Sequence, residues 1–271
     1  MSLLGRIASS VPFLRPAHRW VRALRVSVRE TSARLDPVAP LQVMVSEDVP
    51  LTAPAVAGSS NADPGEESYL AFENVFYDPA VVDEKMGLYV PYLAGDGGAR
   101  PDGDVVDLGC GRGELLRKLV AAGLDAVGVE TNRLECDMLR ADGFRVEDTD
   151  AVSYLEGRPD SSLAGAALIQ VIEHVDPDYL LRLLALLGTK VSEGGAVVIE
   201  TPNPACLAVH GNFYYDLTHR RLYPAATVRF HLARCGFRSC RTVHLMPCPE
   251  PYRVEGSPEA NYTDYALIAR R

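Results

Sequence analysis

Asp107, Gly109, Gly111 and Gly113 follow one another at two-residue intervals, beginning inside the apolar run Val105-Val106-Asp107-Leu108. A buried strand that runs into such glycines turns sharply and lets a ligand lie against bare backbone, with Cys110 inside the turn. Glu130 ends the next apolar run, ahead of Thr131, where a carboxylate accepts hydrogen bonds from both hydroxyls of a ribose. Asp150-Ala151 follows a third run, where a carboxylate meets an adenine amino group. Each acid alone reads as a solvated loop residue. Three of them, in order at successive strand ends, describe a nucleoside pocket. The dinucleotide fingerprint is G-x-G-x-x-G, whereas here the third glycine comes one residue early, and no Gly-Lys-Ser/Thr of a Walker loop follows. The spacing fits S-adenosylmethionine better than a pyrophosphate.

A second constellation lies further along. Gln170 ends a fourth apolar run, followed by Glu173-His174; Asn203 follows a fifth. Then comes the loop Tyr214-Tyr215-Asp216-Leu217-Thr218-His219-Arg220-Arg221. A sulfonium is already a strong electrophile, so the protein's task is to align the acceptor and exclude water. A hydroxyl acceptor also gains from a general base, and a phosphate acceptor from nearby cations. His174 and His219 are the candidate bases. Against this, His174 also reads as a structural imidazole bonded to a loop carbonyl, and Asp216 or Thr218 as a helix cap. His210, His231 and His244 read as structural.

These residues need a scaffold that places them together. Strand signals over 104–108, 126–130, 144–147, 166–171 and 195–200 alternate with helix signals over 114–122, 132–141, 177–187 and 225–235. That alternation implies βαβ units and a doubly wound, mostly parallel α/β sheet. Two last strands, 237–245 and 263–269, have no clear helix between them and fit an antiparallel pair at the sheet edge. Tyr69, Phe72 and Phe76 fall at helical spacing ahead of the first strand. They read equally as a lid over the cofactor and as a helix packed on the sheet.

The run Asp107–Gly113 resembles the class I S-adenosylmethionine-dependent methyltransferases. The resemblance spans about Tyr69 to the end of the sequence. It implies a seven-stranded Rossmann-like sheet with the last strand inserted antiparallel. It assigns Asp107, Gly109 and Gly111 to the methionine part of the cofactor, Glu130 to the ribose and Asp150 to the adenine, with Cys110, Thr131 and Ala151 beside them and Gln170 near the sulfonium methyl. Tyr69-Leu-Ala-Phe72-Glu73-Asn-Val-Phe76, Gln170-Val-Ile-Glu173-His174-Val and Glu200-Thr-Pro-Asn203-Pro, with 212–220, look like the methyltransferase domain of O-antigen chain-terminating enzymes and related polysaccharide-cluster methyltransferases. That likeness implies a saccharide or sugar-phosphate acceptor, with Tyr69, Glu173, Asn203, Tyr214, Tyr215, Asp216 and Arg220 as substrate residues. Tyr77 and Leu217 depart from its pattern. The Glu173-His174 pair is also similar to the quinone O-methyltransferases, which place a second carboxylate where this chain has Gln170. With one hard oxygen ligand fewer, no metal is expected.

The chain has 271 residues, enough for one ordinary domain and an extension. Its net charge of −9 argues against a nucleic-acid partner. Residues 1–41 are nonetheless basic and partly amphipathic, a pattern suited to weak contact with an anionic membrane surface or to a partner; 42–66 read as a flexible linker, and 67–271 as the methyltransferase domain. Six cysteines without C-x-x-C or zinc spacing read as reduced thiols, and no apolar run is long enough to span a membrane. The expectation is a cytoplasmic enzyme that methylates an oxygen of a saccharide or related small molecule, with contact at the inner membrane face as the alternative to a partner-binding or frayed extension. The alternatives are a quinone-like small-molecule O-methyltransferase and a non-catalytic nucleoside-binding scaffold. Oligomeric state is not legible.

Overall fold

The computed structural model describes residues 64–76, 78–95 and 100–271, so the basic segment 1–41 and most of the linker 42–66 lie outside the described residues. The chain divides into two units between Glu84 and Lys85. In the first, helix α1 (Pro64–Phe76) stacks Tyr69 against Phe72, with ring centroids 6.4 Å apart. Helix α2 (Pro79–Gly87) follows it.

The second unit opens with the short helix α3 (Val90–Leu93) and continues as a doubly wound sheet. Its elements are β1 (Asp104–Leu108), α4 (Glu114–Ala121), β2 (Ala126–Glu130), α5 (Arg133–Ala141), β3 (Val146–Asp148), α6 (Ala151–Glu156), β4 (Leu163–Ile169), α7 (Pro177–Lys190) and β5 (Val191–Pro202). Then come α8 (Leu207–Asn212), α9 (Ala225–Arg234), β6 (Ser239–Pro247) and β7 (Tyr262–Arg270). Short 3-10 turns at Ile172–His174 and Phe213–Tyr215 interrupt the connections.

Among the described residues the sheet has seven strands in the order β3-β2-β1-β4-β5-β7-β6. β1 to β5 are mutually parallel, and β7 runs antiparallel to both β5 and β6. The antiparallel pair thus closes one edge, with β7 inside β6. The central strands are buried nearly throughout, because helices cover both faces of a parallel sheet. Helix α7 shows the logic. Leu180, Leu183, Leu184 and Leu187 recur at i, i+3, i+4 and i+7 and are all buried in the main core. Truncating one of them to Ala costs about 2–5 kcal/mol.

Several boundaries shift from the sequence expectation. β4 begins at Leu163 and β5 at Val191, both earlier than their most apolar stretches. α6 had no periodic signal, since it is only six residues long and is nucleated by the Asp150 cap. The strand order reverses between β1 and β4. The crevice for a ligand therefore opens at the carboxyl ends of those two strands, where Gly109–Gly113 and Gln170–His174 lie.

Candidate functional site

Gly109 and Gly111 both have positive φ, at 72° and 49°. They need glycine for different reasons. A Cβ on Gly109 would stand 2.6 Å from the Val171 side chain, so this residue lets the turns after β1 and β4 close on each other. A Cβ on Gly111 would meet nothing within 4 Å. Its bare backbone faces open space, as a cradle for a ligand requires.

Glu130, at the tip of β2, turns towards this loop. One carboxylate oxygen accepts the Gly111 amide at 2.9 Å, and the other accepts the amides of Thr131 at 2.7 Å and Asn132 at 2.9 Å. The carboxylate is thereby fixed beside the glycine cradle. Asp107 is buried beneath the same loop. Burial pushes its carboxyl up to about 7, the Glu114 and Glu130 charges add to this, and a hydrogen bond from the Leu116 amide opposes it. Cys110 is also buried, its thiol pushed up first by burial and then by Asp107. Asp150 caps α6: one oxygen accepts the amides of Val152 at 3.0 Å and Ser153 at 3.1 Å and the Tyr179 hydroxyl at 2.9 Å. Burial alone would raise its pKa; these bonds lower it overall.

Gln170 follows β4 with φ 57°, a strained backbone for a non-glycine residue. Its amide donates to Glu200 at 2.7 Å and to Asp264 at 3.3 Å. Glu200 is wholly buried and also binds Lys85 and the Tyr89 hydroxyl. Lys85 lies 3.9 Å from Asp264 as well. Burial alone would depress the Lys85 pKa, but Glu200 and Asp264 reverse the sign and raise it. Asp264 is pushed up to about 6, mainly by burial, against the pull of Lys85. Lys85 and Tyr89 carry no motif signal. Only a lone Lys four residues from an aromatic, before the first strand, marks them in the sequence.

Past Gln170 the chain makes the turn carrying Glu173 and His174. The loop after β5 folds back onto it, the Arg220 and Arg221 amides donating to the Glu173 carbonyl at 2.8 and 3.1 Å. This docking brings His174 and His219 together, with ring centroids 4.7 Å apart, and Phe213 stacks on the other face of His219 at 4.6 Å. His174 Nδ1 lies 2.8 Å from the Thr218 hydroxyl, which donates to Asp216 Oδ1 at 2.6 Å. His219 Nδ1 lies 2.6 Å from the Phe213 carbonyl. Burial pushes His174 down to about 4, helped by the adjacent His219 ring, so it is unprotonated at neutral pH. The Glu173 side chain is fully buried and accepts the Thr201 hydroxyl at 2.9 Å; burial pushes it up to about 8.

The remaining sequence candidates separate. Tyr214 and Tyr215 are exposed, and Arg220 is exposed and paired with Asp176. Asn203 is buried, both its amide donors spent on the carbonyls of Glu259 and Tyr262. Asp216 holds a turn rather than a helix, its Oδ1 accepting the Thr218 amide at 2.7 Å. Tyr69 belongs to the first unit.

Comparison with known proteins agrees with this geometry. A family described as a methyltransferase domain matches residues 80–241. A solved SAM-dependent methyltransferase from Archaeoglobus fulgidus is similar at 29% identity and TM-score 0.66, over 75% of this chain and 99% of that one. A geranyl diphosphate C-methyltransferase from Streptomyces coelicolor, solved with Mg2+, geranyl diphosphate and S-adenosyl-L-homocysteine, matches at 18% identity and TM-score 0.55, over 79% of this chain and 89% of that one. An O-methyltransferase family protein from Burkholderia thailandensis matches at 19% identity and TM-score 0.53, over 76% of this chain and 60% of that one. The last two likenesses concern the fold alone. No curated protein matches the chain.

Proposed function

We propose, from the premise that this chain belongs to the methyltransferase-domain family and is an S-adenosylmethionine-dependent methyltransferase of class I, that it methylates an oxygen of a saccharide, a sugar phosphate or a glycosylated small molecule. The cofactor is S-adenosylmethionine, which supplies an electrophilic methyl group on a sulfonium centre. The fixed carboxylate of Glu130 and the uncovered Gly111 backbone fit a ribose and the chain that joins it to the methionine part. Asp150 fits the adenine edge, and Asp107 the cationic methionine end. The domain that carries this activity begins near residue 67.

The observation that carries the acceptor reading is the His174–His219 pair. It presents unprotonated imidazole nitrogen at the β4 end of the crevice, where an acceptor hydroxyl needs a group to take its proton. Tyr214, Tyr215 and Arg220 lie exposed on the same loop and suit the faces and anionic groups of a sugar. The six cysteines are free thiols, which suits a reducing compartment such as the cytoplasm. Among the described residues no helix is long and apolar enough to cross a membrane; contact with a membrane surface would fall to the basic segment 1–41.

The test is methyl transfer from labelled S-adenosylmethionine to an extract of cell-envelope glycans and small metabolites, followed by mass spectrometry of the labelled product. We expect one labelled saccharide species, and Arg220→Ala to lower its formation far more than it weakens cofactor binding. Label on a quinone or on nitrogen would overturn the acceptor class. Equal loss of binding and turnover in Arg220→Ala would remove that residue from the acceptor site.

A further inference from the structure

Glu173, His174 and His219 each offer one ligand atom, all within 4.8 Å of one another. The hydrogen bonds decide which ring nitrogens remain for a ligand. A carbonyl only accepts, so His219 Nδ1–H donates to Phe213. The Thr218 hydroxyl spends its proton on Asp216, so it accepts from His174 Nδ1–H. Either ring, when neutral, is thereby held with its Nε2 lone pair free. Such orientation through the other ring nitrogen is what metal-ligating histidines need.

Two buried oxygens point to a ligand independently. Glu173 Oε1 has no hydrogen-bond partner, although the side chain is fully buried and its other oxygen is bonded to Thr201. Asp216 is also buried, and its Oδ2 has no hydrogen bond and lies 3.9 Å from His219 Nε2. When the His219 ring is neutral, with its proton on Nδ1, that pair is a carboxylate oxygen facing a nitrogen lone pair. The separation is too long for a hydrogen bond, and two acceptors face each other with no positive charge between them. A shared cation resolves this. Ligand atoms about 2.1 Å from a tetrahedral ion lie about 3.4 Å apart, so separations that now reach up to 4.8 Å would close by as much as about 1.4 Å on binding.

We propose that Glu173 Oε1, His174 Nε2 and His219 Nε2, with Asp216 Oδ2 at the edge, bind a divalent transition-metal cation such as Zn2+. Two imidazoles and a carboxylate favour this class over Mg2+ or Ca2+, which prefer oxygen throughout. The absence of a metal expected from the sequence rested on Gln170. That position is not a ligand here: its side chain is spent on Glu200 and Asp264, and the further nitrogen ligand comes from the loop after β5. The inference rests on the acceptor-site reading above. It assigns the two imidazoles to holding a cation that lowers the pKa of an acceptor hydroxyl, so that its proton leaves to solvent water rather than to an imidazole.

The test is titration of chelator-treated full-length protein with Co2+ and with Zn2+, followed by visible absorption and by elemental analysis after dialysis. S-adenosylmethionine affinity is measured in parallel. We expect one equivalent of Co2+ with ligand-field bands of a nitrogen- and oxygen-bound site, displaced by Zn2+. Affinity should fall at least about tenfold in Glu173→Gln and in His219→Gln. Thr218→Val should weaken the metal less, by freeing the His174 ring. Intact cofactor binding with no metal bound at millimolar Co2+ or Zn2+ would overturn the metal site and leave the imidazoles as direct bases. Metal binding undiminished in folded Glu173→Gln and His219→Gln would equally overturn it. Loss of cofactor binding in the unaltered protein would instead strike the underlying methyltransferase reading.

Discussion

The carboxylate of Glu130 and the backbone amide of Gly111 meet at 2.9 Å, across the gap between the tips of β2 and β1. With the Thr131 and Asn132 amides on its other oxygen, the carboxylate is fixed in place, and the oxygen that meets Gly111 keeps one acceptor site for a ribose hydroxyl. Glu130→Ala should therefore raise the Kd for S-adenosylmethionine at least about tenfold, or roughly 1.4 kcal/mol, as read by calorimetry. An unchanged Kd would remove the ribose from this position.

The two glycines of the loop should fail differently. Gly111→Ala places a methyl in open space at a φ that costs an L-residue about 1–2 kcal/mol, so the protein should fold and lose cofactor affinity. Gly109→Ala drives a methyl into Val171 and should lower the thermal midpoint more. Gly109→Ala with Val171→Ala should recover part of that stability. Gly111→Ala that bound cofactor normally would show that the ligand does not lie on this backbone.

Asp107 makes stability depend on pH with an unusual sign. Its folded pKa of about 7 lies above the ordinary carboxyl value of 3.8, so ionisation is harder in the folded state. The favourable contribution is full below pH 4, declines as pH rises from 4 to 7, and is absent above. The elevation corresponds to roughly 4 kcal/mol as an upper bound. Asp107→Asn, which keeps an acceptor for the Leu116 amide, should raise the thermal midpoint at pH 8 and not at pH 4. Cofactor affinity in the unaltered protein should rise from pH 5 to pH 7, because the ionised form suits a cationic ligand. Parallel stability curves for the two proteins from pH 4 to pH 8 would refute the elevated pKa.

Lys85 is the only cation bonded to the buried Glu200 carboxylate among the described residues. Lys85→Met leaves that charge with only Tyr89 and Gln170 as donors, and should cost about 3–5 kcal/mol in denaturant unfolding. Glu200→Gln in the same chain should return most of it. If the double variant were no more stable than Lys85→Met, the network would not be the source of the loss.

Much of the geometry of the glycine loop and its flanking acids was legible because its signal is local. Val105–Gly113 encodes a buried strand, a turn of positive-φ residues and a helix start within ten positions. Glu130 and Asp150 end strands that announce themselves by apolar runs. The acceptor side was less so, because its contacts are long-range. Nothing near His174 in sequence shows that Thr218 orients it, and nothing near His219 shows that Glu173 lies alongside. That convergence depends on the Arg220 and Arg221 amides reaching the Glu173 carbonyl, a backbone contact with no side-chain code. Exposed Arg220 and buried Asn203 show the same limit: residue type marks a candidate, and only tertiary packing decides whether its polar atoms are free.

The place of β7 between β5 and β6 has a consequence for biosynthesis. Chains emerge from the ribosome amino end first, and β6 emerges before β7, the only strand it pairs with among the described residues. Until residues 262–270 are free, β5 and β6 both present unpaired backbone. The nascent polypeptide should therefore be vulnerable to proteases and to intermolecular association until then, and become resistant in one step when β7 slots in.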